Sequence, residues 1–161
     1  MLLTIDSQIW IYYFDPNAKE NKNVEKWFEG ILAKEEIMLS SIIPLEVAHN
    51  LYAVPDLDKL STENLILKWV TQENITFIPV DTNIMLLALE LLKANRSKGI
   101  GGRDCLILAS MLAKDVEALV THDKNLLKIT SLLRIDPVFV PPLILNKGEE
   151  FNDSTFVSKK N

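Results

Sequence analysis

The sequence predicts an α/β protein, a three-layer α/β/α sandwich on a central, mainly parallel sheet of about five strands. Two observations carry this expectation. Short apolar runs alternate along the chain with segments of helical period, and strands that alternate with helices build a parallel sheet covered on both faces. The bulk numbers agree, since 161 residues with 48% hydrophobic and 24% charged side chains suit one ordinary soluble domain with a real core.

Met1 to Ile5 is a short apolar run that ends abruptly at Asp6, which suits a buried strand. Ser7 to Phe14 reads as a short helix, broken by Asp15-Pro16-Asn17. From Lys19 to Lys34 the period is helical, with Val24, Trp27, Phe28, Ile31 and Leu32 on one stripe. Ile37 to Ser40 gives a second strand, and Ile42 to Ala53 a helix with Pro44 tolerated in its first turn. Ser61 to Gln72 is helical, with Leu65, Trp69 and Val70 expected to face inward. Ile75 to Pro79 is the third strand, and Thr82 to Asn95 a helix rich in Leu and Met whose stripe suits core or a dimer surface. The loop from Arg96 to Gly102 holds three of the five glycines and leads into a helix from Asp104 to Lys114. Glu117 to Thr121 is the fourth strand, Lys124 to Ile129 a short helix, and either Leu133 to Ile135 or Val138 to Val140 the fifth strand. The domain is expected over residues 1–145. From Asn146 to Asn161 the tail turns polar and is expected to be poorly ordered unless a partner holds it.

Several function classes drop out. No apolar run reaches the roughly 20 residues that span a bilayer, so no membrane association is expected. Met1 to Asp6 has no positive leader region, which makes the cytoplasm the expected compartment. The single cysteine, Cys105, excludes a disulfide framework and a multi-cysteine zinc ribbon. The net charge of −5 runs against the usual basic character of nucleic-acid binders, so composition alone favours no contact with nucleic acid. The alternative is that the acids concentrate in a metal site and a few local bases hold the substrate.

Placement decides between these. Ligands of parallel sheets sit beyond the carboxyl ends of the strands. Asp6 ends the first strand, Glu46 lies in the helix after the second, Asp104 opens the helix after the glycine loop, and Asp123 lies two residues beyond the fourth strand. Taken singly, Asp6, Asp104 and Asp123 each have an ordinary explanation as helix N-caps worth about 1 kcal/mol, and Glu46 as part of a solvated helix face with His49 and Asn50. Together they form a cluster. Two carboxylates within about 5 Å repel by roughly 3 kcal/mol at an effective dielectric of 20, so four need a cation among them. Oxygen donors without cysteine or paired histidine point to Mg²⁺ or Mn²⁺, and such a site suits phosphodiester hydrolysis.

The segments Leu2-Leu3-Thr4-Ile5-Asp6-Ser7, Pro44-Leu45-Glu46-Val47, Arg103-Asp104-Cys105-Leu106-Ile107-Leu108-Ala109 and Leu119-Val120-Thr121-His122-Asp123-Lys124-Asn125-Leu126 resemble the successive motifs of the PIN-domain family. The overall size is similar to the VapC-type toxins within it. The resemblance covers roughly residues 1–142. It implies a PIN-like α/β/α fold, Mg²⁺ or Mn²⁺, endonucleolytic cleavage of RNA, a homodimer and, in the toxin branch, a cognate antitoxin protein. By matching position, Asp6, Glu46, Asp104 and Asp123 are the catalytic and metal-holding acids. Ser7 and Thr121 lie beside them as supporting hydroxyls, with local capping or a strand role as the alternative. Arg103 and Lys98 are placed to meet the substrate backbone, with solvated loop charges as the alternative. His122 reads as incidental.

Two other functions compete. A receiver-like, Mg²⁺-binding signalling domain shares the fold class and needs an acid pair after the first strand, a phosphoacceptor after the third and a lysine ending the last. Only Asp81 imitates any of these. A catalytically silent RNA-binding module on the same fold is separated from the nuclease by measured metal affinity.

Overall fold

The computed structural model describes residues 1–32, 34–55, 57–152 and 154. Among them, β1 (Leu2–Ile5), β2 (Glu36–Ser40), β3 (Ile75–Ile78), β4 (Ala118–Val120), β5 (Leu133–Asp136) and β6 (Leu143–Leu145) form one sheet in the order β3-β2-β1-β4-β5-β6. Neighbours from β3 to β5 are parallel, with Leu3 opposite both Ile37 and Ala118. β6 adds an antiparallel edge, Ile135 facing Ile144. The helices are α1 (Ser7–Phe14), α2 (Asn21–Ile31), α3 (Ile42–Leu51), α4 (Lys59–Val70), α5 (Thr82–Asn95), α6 (Gly102–Ala113) and α7 (Lys124–Leu127), with a 3₁₀ turn at Arg96–Lys98. No described helix is long and apolar enough to cross a membrane.

Connection handedness sorts the helices into layers. The chain travels β1→β2→β3 in one direction across the sheet, then returns to the other side of β1 for β4 and β5. Right-handed crossovers therefore put α1 to α4 on one face and α5 to α7 on the other. The first layer closes on an aromatic cluster in which Trp10 lies 4.6 Å from Trp69 and 4.9 Å from Phe28, ring centre to ring centre. The sheet between the layers is fully buried at Leu3, Ile5, Leu39, Leu119 and Val120.

Local chemistry sets the element ends. Asn21 donates to the carbonyls of Tyr12 and Tyr13 at 2.9 and 3.0 Å, closing the end of α1, and α2 starts there rather than at Lys19. Asp58 caps α4, accepting from the Ser61 N–H and hydroxyl at 2.8 and 2.9 Å, so that helix begins at Lys59, before Ser61. Its inward stripe is Thr62, Ile66 and Trp69; Leu65, expected inside, is exposed. One residue rotates a helical side chain by about 100°, enough to carry Leu65 off the core stripe.

The fifth strand is Leu133–Asp136, and Val138 to Val140 belongs to the turn leading to β6. β6 is a sixth strand beyond the five that the sequence predicts. It is only three residues long, follows Pro141-Pro142 and leaves Ile144 exposed. Arg134 on β5 is fully buried. Its guanidinium donates to the carbonyls of Leu127, Leu132, Asn146 and Glu149, and Phe151 is buried in a second small core with Leu127, Phe139, Leu143 and Leu145. The polar tail expected from Asn146 is thus packed on the domain as far as Phe151. Asp153 and residues 155–161 lie outside the described residues.

Candidate active site

The sheet's direction of travel reverses at β1, so the topological switch point, where such sheets bind ligands, lies at the carboxyl ends of β1 and β4. Asp6 follows β1 and hydrogen-bonds through its N–H to the Val120 carbonyl at 2.9 Å. Thr121, His122 and Asp123 follow β4. The register that sets Ile5 opposite Val120 places Asp6 beside Thr121.

Asp6 is buried and occupies the N-cap position of α1, yet its carboxylate makes no capping hydrogen bond. Its Oδ2 accepts from Thr121 Oγ1 at 2.9 Å, and its Oδ1 from Ser7 Oγ at 3.3 Å. Thr121 is fully buried, and its hydroxyl also accepts from the Asp123 N–H at 3.0 Å. One hydroxyl thereby ties the ends of β1 and β4 together, using its donor on one acid's carboxylate and its acceptor on the other's backbone.

Burial pushes the Asp6 carboxyl up to about 6; the Thr121 hydroxyl opposes this, while the charges of Asp104 and Glu46 add to it. Asp104, half-buried, is also raised. Burial is the main cause and Asp123 adds to it, against the Gly101 N–H and Arg103. The four acids expected from the sequence thus lie close enough to feel one another, Asp6 with Asp104 and Glu46, and Asp104 with Asp123.

The capping explanation fits them unequally. It fails for Asp6. It describes Asp123, whose Oδ1 accepts from the N–H groups of Asn125 and Leu126 at 2.7 and 3.2 Å. Asp104 sits in the first turn of α6, which begins at Gly102, and its Oδ2 accepts from the Gly101 N–H at 3.1 Å. Glu46 is not on a solvated face: its side chain is 10% exposed and its Oε1 pairs with Arg103 Nη1 at 2.7 Å.

Among the described residues, Glu46, Asp104 and Asp123 each give one oxygen to a protein donor and keep the second. This all-oxygen donor set, two of whose carboxyls are raised chiefly by burial, suits a hard divalent cation. As placed, no group of three or more His, Cys, Asp or Glu side chains among the described residues forms a ready-made metal cage. A divalent cation held there by one or two of these carboxylates would complete its shell with water.

The remaining expected residues divide. Ser7 and Thr121 touch Asp6, whereas Arg103 sits on Glu46. Lys98 is exposed at the end of the 3₁₀ turn and lines a cleft with Lys128, Thr130, Glu150 and Phe151, none of them one of the four acids. Asp81 caps α5, accepting from the Ile84 N–H at 2.9 Å, and lies just past the edge strand β3 rather than at the reversal point. His122, read as incidental, is built in: its Nδ1 is 2.8 Å from Oδ2 of the fully buried Asp136, and its ring packs on Tyr12 and Phe139. Asp136 escaped sequence reasoning, although it ends a strand just as Asp6 follows one, and that position was the available signal.

Comparison with known proteins bears on the fold and the family. No curated protein matches the sequence. Among solved structures, a chain of the VapBC2 complex of Rickettsia felis, bound to a DNA fragment from its promoter, is 19% identical and superposes with a TM-score of 0.64, over 83% of this chain and 97% of that one. VapC20 of Mycobacterium tuberculosis, a toxin that cleaves the sarcin–ricin loop, is 13% identical with a TM-score of 0.64, covering 76% of this chain and 90% of that one. VapBC-1 of nontypeable Haemophilus influenzae is 20% identical with a TM-score of 0.62, covering 85% and 98%. These likenesses establish the fold. The family model for the PIN domain matches residues 3–132, which takes in all four acids, and the chain belongs to the PIN-domain family.

Proposed function

We propose that this chain is a metal-dependent endoribonuclease, using Mg²⁺ or Mn²⁺, and that it is the toxin of a toxin–antitoxin pair. The observation that supports the reading is that Asp6, buried at the end of β1, lies within electrostatic reach of Asp104 and Glu46, and Asp104 within reach of Asp123, with the Asp6 and Asp104 carboxyls raised mainly by burial. Asp6 and Asp104, with Glu46 and Asp123, are the residues to hold the cation. When bound, it supplies Lewis acidity that makes water a nucleophile at neutral pH and offsets charge on the departing oxygen.

The chain's own part is positioning. Thr121 fixes the Asp6 carboxylate and the start of the Asp123 segment. The cap on α7 leaves one Asp123 oxygen directed elsewhere; Arg103, on Glu46, is the cation proposed to meet phosphate oxygens at the acids, and Lys98 one proposed to meet the substrate backbone further along, at the cleft it lines. Because a water attacks, no 2′-hydroxyl is needed, and products should carry 5′-phosphate and 3′-hydroxyl ends. A loop is the fitting RNA target, since its unstacked bases can be splayed out.

The partners follow the same reading. The VapBC complexes among the similar structures support a cognate antitoxin. The exposed Met85, Leu86 and Leu89 on α5 support a homodimer, the commonest closed assembly. The cytoplasm is the proposed compartment.

The test is cleavage of a structured RNA with an accessible loop. EDTA should abolish cleavage, Mn²⁺ should restore it, and Asp6→Asn or Asp104→Asn should lower the rate by orders of magnitude. Cleavage that survives EDTA, or products ending in 2′,3′-cyclic phosphate, would refute the mechanism.

A further inference from the structure

We propose that Arg103 is a resident counter-ion that sets the metal affinity of the acidic site by competing for Glu46, and that metal binding releases it to substrate phosphate. The inference rests on the metal-dependent reading above and deepens it. The Arg103–Glu46 contact is asymmetric. The Glu46 side chain is 10% exposed, whereas that of Arg103 is 71% exposed. A carboxylate so enclosed has little water to turn to, so a cation must serve it, either the guanidinium or a metal ion. The guanidinium, already in solvent, loses little by leaving.

Arg103 also adjoins Asp104 in sequence, and its charge acts on that carboxyl. One positive charge is therefore coupled to two of the four acids. A divalent cation entering among them meets Arg103 as a like charge and draws on the same Glu46 carboxylate, so the competition is electrostatic and needs no shared coordination position. Released, the planar guanidinium fork suits a phosphate better than a lysine would. The coupling is reciprocal by linkage: metal frees Arg103 for phosphate, and phosphate that holds Arg103 relieves its competition with metal by the same factor.

The experiment titrates Mn²⁺ alone into metal-free full-length protein by calorimetry and by the loss of the free-ion electron spin resonance signal. Arg103→Gln should bind Mn²⁺ roughly fivefold to tenfold more tightly than wild type, the effect of withdrawing one positive charge from beside a divalent cation in largely aqueous surroundings. Arg103→Lys, which keeps the charge but not the fork, should stay closer to wild type. In a Glu46→Gln background the same Arg103→Gln change should gain less than half as much, because the pair acts as a unit. RNA affinity of Arg103→Gln should fall while its metal affinity rises. Equal or weaker Mn²⁺ binding by Arg103→Gln, or an undiminished gain in the Glu46→Gln background, overturns the proposal and leaves the metal site standing. A wild-type protein that binds no Mn²⁺ overturns the metal site itself.

Discussion

Asp6→Asn should make the metal-free protein more stable at neutral pH and flatten its stability between pH 4 and 6. The folded carboxyl keeps its proton to about pH 6, against a reference value of 3.8. Between these limits the folded state holds more protons than the unfolded one, so stability falls as pH rises through the window. Below it both states are protonated; above it both are ionised, and the folded state carries the whole cost of a buried, crowded charge. Roughly two powers of ten in proton affinity correspond to about 3 kcal/mol. At about 2–4 °C per kcal/mol for a chain of this size, the two proteins should separate by at most about 6–12 °C at pH 7 in EDTA and converge near pH 4. Asparagine still offers an oxygen to Thr121, so that hydrogen bond does not confound the comparison. The assay is thermal and urea denaturation of both proteins in EDTA from pH 3.5 to 8. Asp104, also raised, leaves a residual slope in the variant. Parallel pH curves for the two proteins would show that Asp6 is not the strained group. Metal at 100 times its dissociation constant should return about 2.7 kcal/mol to wild type and much less to the variant.

Other outcomes follow from the same geometry. Asp123→Asn should abolish cleavage with stability nearly kept, because the amide oxygen can still cap α7, whereas Asp123→Ala should also lose about 1 kcal/mol; equal denaturation midpoints for the two would refute the capping role. Thr121→Val keeps the shape but removes the bridge between Asp6 and Asp123, and should cost about 1–3 kcal/mol and weaken Mn²⁺ binding in calorimetry; unchanged metal affinity would refute its supporting role. Arg134→Met deletes a buried cation that holds four carbonyls, and should destabilise by about 3–5 kcal/mol, with limited proteolysis first releasing the segment after β5; wild-type resistance would count against the clamp. Sedimentation at micromolar concentration should give a mass near twice 18.3 kDa, and a single-chain mass would refute the homodimer.

The part of this molecule legible in its sequence was the part written locally. Short apolar runs marked β1 and β4, and the βα alternation fixed the sheet edge at which Asp6 and Asp123 lie. Contacts between distant segments carry no such mark. The Arg103–Glu46 and His122–Asp136 pairs depend on how α3 meets α6 and how β4 registers with β5. Arg134 reads as an ordinary polar strand residue until the chain folds back over it and offers its carbonyls. β6 was hidden by its brevity and by the two prolines before it, which resemble the end of a domain. Leu65 shows a limit of a different kind, since a helix with scattered leucines leaves its inward stripe ambiguous by a single residue.

β6 also bears on how the protein behaves in a crowded solution. A sheet that ends in an open strand presents a row of unpaired backbone groups that can recruit a strand from another molecule and seed aggregation. Here the outer strand is three residues long and is entered through Pro141 and Pro142, neither of which has an N–H to offer. The zipper is too short to grow, even though Ile144 lies exposed on it. At this edge of the sheet, strand addition is limited by two residues with no part in the chemistry. Replacing Pro142 by valine should lengthen the open edge and raise light scattering on concentration, and a variant that stays as clear as wild type would show that Pro142 sets no such limit.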